Sequence, residues 1–436
     1  MAQTSDITNL LQRFYTGKAE QTFSDEFWAH KEFESVTNLK WEGESVRISI
    51  HTGRNDGAGA IGELDDLPVA GSQTTQQGEV SRKFVYGRIN LSGPAIWAAQ
   101  SEAHSFKAVL DFEMERLVAD IIAQRSFYLY TSNVVAGNAN LNGIRARING
   151  VPAPVLAAGV VSGTITLDEP GGISTTFAPA IGGTRYLRNG DRVVWGSAAQ
   201  LSAGGTAEGA GIISAINRSA QTATLTQTSS AVIGDFPDNN DLICRGWSTT
   251  SHEGGKCPQG LGTLVNFQVG QDLQGITFES ETWAATNTNA AGAFDINKLH
   301  VANQNIREVS GKKTDVMVAH PSFSRQYIDD LKGDVRFDPK KIEGGYETLT
   351  FSSGNPIKFV FDNDAPYGAV IFMNKGSIFW AVNRPWSWDK TDGDVLRSVS
   401  NKDQYTARYV SYYDMAYRQL NCNGWMHGVT VSNTIF

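Results

Sequence analysis

Gly57-Ala-Gly59-Ala-Ile-Gly62 has the spacing with which nucleotide-binding folds bring backbone N–H groups against a pyrophosphate. That chemistry needs a helix starting directly behind the glycines, so that its N-terminus faces the anion. The residues that follow include Asp65, Asp66, Pro68 and Gly71, which begin no amphipathic helix, so the glycines read as the tip of a loop. Asp389, Asp392 and Asp394 around Gly393 offer oxygen ligands for a hard cation, but not at the spacing of a helix-loop-helix calcium site; a solvated turn is the simpler reading. Cys244, His252 and Cys257 are zinc-type donors without a fourth ligand or the short Cys pairs of structural zinc sites, so buried thiols are expected. The seven histidines, at 30, 51, 104, 252, 300, 320 and 427, follow no metalloprotease pattern. Neither a phosphate-binding loop ending in Lys-Ser or Lys-Thr nor a Gly-x-Ser-x-Gly elbow occurs. Phe379-Trp380 and Trp386-Ser387-Trp388 offer a platform for a sugar ring, but in strand-rich surroundings they read as core and interface anchors. The sequence assigns no catalytic, cofactor-binding or metal-binding residue, and a protein that is not an enzyme is expected.

The elements that would position any site come from composition and period. The chain has 436 residues, 41% apolar and 19% charged, with 44 glycines: a globular, turn-rich composition, long enough for two or three compact units. A net charge of −8 argues against a protein that grips phosphate backbones through a basic surface. Three cysteines suit a reducing cytoplasm. No secretory signal opens the sequence, and no apolar run approaches the ~20 residues that span a bilayer, so a soluble protein with no membrane partner is expected.

Ile7, Leu10, Leu11 and Phe14 form one helical stripe, and Phe23, Phe27, Trp28 and Phe33 crowd a short span that needs a partner surface. Residues 46–50 and 84–91 alternate as strands. Between them, residues 51–79 lack a sustained period and carry Arg54 against Asp56, Glu63, Asp65, Asp66 and Glu79, as a loop reaching away from its own core would. From about Ala95 to Tyr128 a long helix is expected, with Phe106, Leu110, Met114, Leu117, Ile121 and Tyr128 on one face and Glu102, Asp111, Glu115 and Arg125 elsewhere. About 145–245 the chain turns to Gly, Ala, Ser and Thr with short strands at 164–168, 192–195, 211–217 and 222–227, as in a small inserted β-barrel or sandwich. Helices at 294–309 and 321–331 and strands at 315–319, 357–361, 369–373, 378–383 and 405–413 complete the pattern.

This order resembles the major capsid proteins of tailed double-stranded DNA bacteriophages, the Hong Kong 97-type fold. Asp315-Val-Met-Val-Ala-His320-Pro321 followed by a helix is similar to that family's axial-domain strand and helix. Gly354-Asn-Pro-Ile-Lys-Phe-Val-Phe361 and Tyr367-Gly-Ala-Val-Ile-Phe-Met373 are similar to its returning peripheral strands. The resemblance implies an α+β fold with an N-terminal arm at 1–40, an extended loop at 41–92 and a peripheral domain with its spine helix at 93–131. It further implies an axial domain at 132–144 and 251–335, an inserted β-domain at 145–250, and returning peripheral strands with the end of the axial domain at 336–436. It implies a shell subunit that assembles as hexamers and pentamers around packaged DNA held by confinement, built in the host bacterial cytoplasm and residing in the virion. Phe23, Phe27 and Trp28 of the arm and the charged residues of the loop would then touch neighbours. A separate scaffolding protein is implied by the short arm, together with a portal protein and, in some relatives, decoration proteins. The competing readings are an encapsulin-like cellular nanocompartment and a β-rich decoration or glycan-binding adhesive protein.

Overall fold

What fixes most strands here is the partner each one finds. The computed structural model describes residues 33–430 apart from 56, 64–65, 95–102, 132–140, 169–182, 231, 263–271, 278–284, 332–348, 353–355 and 391–394. The chain opens with β1 (Glu34–Val36), β2 (Ser45–Gly53), β3 (Thr74–Ser81), β4 (Lys83–Ser92) and helix α1 (Ala103–Tyr130). β2 and β3 form an antiparallel hairpin with Val46 opposite Val80 and Gly53 opposite Thr74. The second strand of the loop therefore lies inside the stretch read as aperiodic, while the strand expected at 84–91 belongs to another sheet. The sequence hides β3 because in Thr-Thr-Gln-Gln-Gly-Glu-Val-Ser only Gly78 and Val80 are buried.

α1 is 28 residues long, a rod of ~42 Å. Ile121 is buried, Met114 and Leu117 are partly buried, and the side chains of Phe106 and Leu110 lie outside the described residues. The helix can approach β4 because residue 87 is glycine: a Cβ there would come within 2.4 Å of Ile121 Cδ1 and 3.1 Å of Leu117 Cδ1. Arg125, expected on the polar side, instead lies over the rings of Trp380 (4.3 Å) and Tyr413 (5.0 Å). A planar guanidinium stacks on aromatic faces, which a reading by charge alone does not anticipate.

Next come β5 (Ile144–Ile148), β6 (Val155–Ala157), β7 (Val160–Asp168), β8 (Arg192–Gly196), β9 (Gly209–Asn217), β10 (Thr222–Gln227), β11 (Leu242–Ser248) and the two-residue β12 (Ser251–His252). The antiparallel pairings run β5-β7-β10-β9-β8-β11 and return to β5, a closed ring of six strands. β6 hangs from β7 and β12 from β11. Ile148, Ile165, Leu167, Trp195, Ile213, Leu225 and Ile243 fill a core of the ring's own. Each such side chain contributes roughly 1.5–3 kcal/mol by leaving water. The chain enters and leaves the ring side by side: the Gly255 N–H donates to the Asn142 carbonyl (3.0 Å), and Asn142 Nδ2 donates to the Cys257 carbonyl (3.3 Å).

The remainder comprises β13 (Asp272–Leu273), β14 (Ile276–Thr277), β15 (Thr286–Ala293), α2 (Ile296–Ser310), β16 (Val316–Ala319), α3 (Ser322–Leu331), β17 (Leu349–Ser352) and β18 (Pro356–Phe361). After these come β19 (Val370–Met373), β20 (Ile378–Trp388), β21 (Arg397–Ser398), β22 (Gln404–Tyr417) and β23 (Gly424–Thr430). α2 begins where the Asp295 side chain accepts from the Asn297 N–H. A mixed sheet runs β15-β23-β19-β16-β18-β17, and a second joins β1, β20, β22 and β4, with β21 at the end of β22.

The stretches at 357–361 and 369–373, expected among the returning peripheral strands, instead flank β16 on either side. All four residues of both β16 and β19 are buried, as suits the middle of a sheet covered on both faces. Their residues divide by parity. Met317, Ala319, Val370 and Phe372 join Leu299, Ile306, Phe323 and Tyr327 of α2 and α3, while Val316, Val318, Ile371 and Met373 face the core shared with the end of α1. Phe33 meets Trp380 edge-on at 6.2 Å in that second core, beside the parallel pairing of β1 with β20. That aromatic residue thus finds its partner surface within its own chain.

Candidate assembly surfaces

The β2–β3 hairpin has a paired stem and an unpaired tip. Val46 and Val80 at its base pack with Phe379, Ala381 and Ala416 on the sheet of β20 and β22. Toward the tip this packing ends, and Leu67 (80% exposed), Val69 (89%) and Ile61 stand in solvent. The tip folds on itself at Gly57, whose N–H donates to Asn55 Oδ1 (2.7 Å) and where a Cβ would lie 2.8 Å from the Gly71 nitrogen. The glycines of the nucleotide-like pattern thus serve a turn. Arg54, Glu63 and Asp66 are exposed on this tip, Asp56 and Asp65 fall outside the described residues, and Glu79 sits on the stem opposite Arg47. Phe23, Phe27 and Trp28 also lie outside the described residues.

The outward face of β4 and β22 carries exposed Phe84 and Tyr86, both edge-on to Tyr412 (4.9 and 6.1 Å). Arg82 lies over Phe84 and Arg384 over Tyr412, each at 5.6 Å. The sequence signalled the strand but not the face, because β4 carries apolar residues on both sides, Phe84 and Tyr86 on one and Val85, Ile89 and Leu91 on the other.

The other chemical motifs dissolve into structure. Asp389 pairs with Arg397 (3.1 Å) and Arg384 (3.5 Å), and Asp392 and Asp394 fall outside the described residues. Cys244, Cys257 and Cys422 are buried free thiols, and burial pushes the Cys244 thiol up to about 12. His252 Nε2 meets the Gly205 carbonyl at 3.0 Å. Among the described residues no group of His, Cys, Asp or Glu is placed to hold a metal ion, and no helix is long and apolar enough to cross a membrane. Trp380 and Phe379 are core residues, and Trp386 stacks on Tyr409 at 5.4 Å.

A buried polar junction went unread in the sequence. Where the end of α1, the segment between β7 and β8, and the turn after β18 converge, Tyr130 donates to Asp362 Oδ2 (3.0 Å) and Ser126 to Asp364 Oδ2 (2.6 Å). The Tyr186 hydroxyl donates to the Asp364 carbonyl (2.7 Å), and Arg185 donates to the Ala365 carbonyl and the Tyr186 hydroxyl. Burial raises Asp364 to about 6, and burial together with Arg185 lowers His320, stacked on Tyr367, to about 3. A second cluster ties α1 to the foot of the ring. Tyr128 and Gln124 donate to Glu253 (3.0 and 3.3 Å), which also faces Arg145 at 3.6 Å. No periodicity announces such contacts, because their members lie up to 238 residues apart.

No protein-family model matches the chain, and no curated protein sequence matches it. Solved structures do. A chain of the cyanophage A-1(L) capsid asymmetric unit superposes with a TM-score of 0.52 at 9% identity, covering 98% of this chain and all of the other. The capsid of the native GTA particle gives 0.51 at 9% identity, covering 98% and 97%. The SrpI encapsulin of Synechococcus elongatus PCC 7942 gives 0.43 at 9% identity, too low a likeness to weigh. The chain therefore shares the fold of these two capsid chains. That fold is the Hong Kong 97-type, α+β and mostly sheet.

Proposed function

We propose that this chain is the major capsid protein of a tailed bacteriophage, a shell subunit that acts only in many copies. The observation that carries the reading is the β2–β3 hairpin. It is anchored on the sheet of β20 and β22 at the base, yet exposes Leu67 and Val69 at the tip, where none of the described residues covers them, in a chain whose fold matches a capsid subunit end to end. Subunits tile as hexamers and pentamers, reusing the same surfaces in closed symmetry. The tip lies across a neighbour, and α1 stiffens each tile. The closed six-stranded ring at 145–250 is an inserted β-barrel module on the outer side, consistent with a core that draws on no other element. Double-stranded DNA is held by confinement, in keeping with the net charge of −8. A scaffolding protein and a portal are the partners of assembly in the host cytoplasm, and the role requires no catalytic step.

Negative-stain imaging of the purified protein, with and without a co-expressed scaffold, tests this. Closed shells are expected. Small discrete oligomers under both conditions would refute the shell role, and shells filled by a protein cargo would favour a nanocompartment.

A further inference from the structure

β6 is the free edge of the ring's sheet, joined to β7 by a turn at Ala158 and Gly159 with φ of 50° and 78°. Natural edge strands are usually guarded by charge. Here no Asp, Glu, Lys or Arg occurs between Asn149 and Asp168, and the hairpin instead exposes Val151 (82%), Val155 (63%), Leu156 (48%) and Val160 (44%). Four such side chains within ten residues form a patch where scattered single ones would need no explanation.

We infer that this edge is a contact between two copies of the chain, β6 against β6 of a neighbour, related by a two-fold axis. The inference rests on the shell reading. Charge selects the occupant: two copies of a protein with net charge −8 repel over most of their surfaces, and an uncharged apolar edge is where like can meet like. An isologous contact needs one patch that complements itself, which an antiparallel strand pair of identical sequence supplies. Size sets the regime. The patch amounts to a few hundred Å², well under the ~1,200 Å² at which specific stable interfaces begin. One such contact leaves free subunits monomeric, and many in a closed lattice reinforce one another.

Leu156 is the centre of β6, so in a two-fold pair it meets its own copy. The test is Leu156→Cys under mild oxidation, the native thiols being buried. Disulfide-linked dimers on a non-reducing gel are expected from assembled shells and not from free subunits at the same concentration. Leu156→Glu, which sets like charges face to face, should melt like the parent yet close at least tenfold fewer shells at low salt. Shells of the cysteine variant without linked dimers, together with normal closure by the glutamate variant, would overturn the contact while leaving the shell reading intact. Crosslinking of the cysteine variant to a different protein through its introduced thiol would give the edge another occupant and also overturn it. A parent protein that forms no shells at all would bring down both.

Discussion

The six-stranded ring and the β2–β3 hairpin both project from the same body, but they treat their apolar residues in opposite ways. The ring turns Trp195, Ile165 and Leu225 inward and closes its hydrogen-bond ladder, leaving β6 and the two-residue β12 as its edge strands. The hairpin has no inside. Its stem packs Val46, Ile50 and Val80 against the body, but beyond Ile50 the tip residues Ile61, Leu67 and Val69 face water. A two-stranded ribbon of this kind is marginal on its own. The ring is thus completed by folding, whereas the hairpin's tip is left uncovered by it, as the proposed shell role requires.

The sharpest way to break the comparison is to replace residues 54–73 with a short Gly-containing turn. The melting transition and circular dichroism spectrum should stay the same, because Val46, Val80 and their sheet remain, while closed shells should vanish from sedimentation profiles. Shells formed by the shortened protein would mean the tip clamps nothing.

Trp195→Ala asks the converse question of the ring. Emptying a fully buried indole site costs ~3–5 kcal/mol, so calorimetry should show a separate, early transition of the ring. Loss of the whole molecule in one step would show the two are not distinct.

Distinctness has a limit, because Tyr186, from within the insertion, is buried in the main core against Phe127 (5.6 Å). Tyr186→Phe keeps the ring but removes the hydroxyl that donates to the Asp364 carbonyl, and should cost ~1–3 kcal/mol of global stability in urea titration.

The smallest effect is one of pH. Asp364 titrates at about 6 when folded against an ordinary 3.8, so the folded state holds that proton longer, and stability falls as pH rises from about 4 through 6. His320 acts in the other direction, losing stability as pH falls from 6.5 toward 3. Asp364→Asn should therefore raise the melting point at pH 7, by up to ~3 kcal/mol in stability, and leave it nearly unchanged at pH 4. An equal change at both values would show that the carboxyl's charge is not felt at the junction.

These two regions also mark what the sequence could convey. Four of the ring's six strands were legible, at 164–168, 192–195, 211–217 and 222–227, because short β-prone runs, alternating in β7 and β10 and continuously apolar in β8, stand between turn-forming residues. β3 was not, since its only bulky apolar residue is Val80 and the apolar stripe of the hairpin, Val46, Ile48 and Ile50, is carried by β2. Strands 357–361 and 369–373 were seen, but not that both pair with β16: an apolar run announces burial and says nothing of its neighbour. Arg125 and the Tyr130–Asp362 and Ser126–Asp364 pairs were invisible for the same reason, their stabilising partners being supplied by remote segments.

The side-by-side passage of the chain at Asn142 and Gly255 also makes this point a socket for grafting. Any domain whose two ends emerge close together can be spliced there without stretching the rest of the chain, and in a shell of the proposed kind each copy would display it. What leaves with the native module is Tyr186, and a graft is complete only if its own surface returns an aromatic ring beside Phe127.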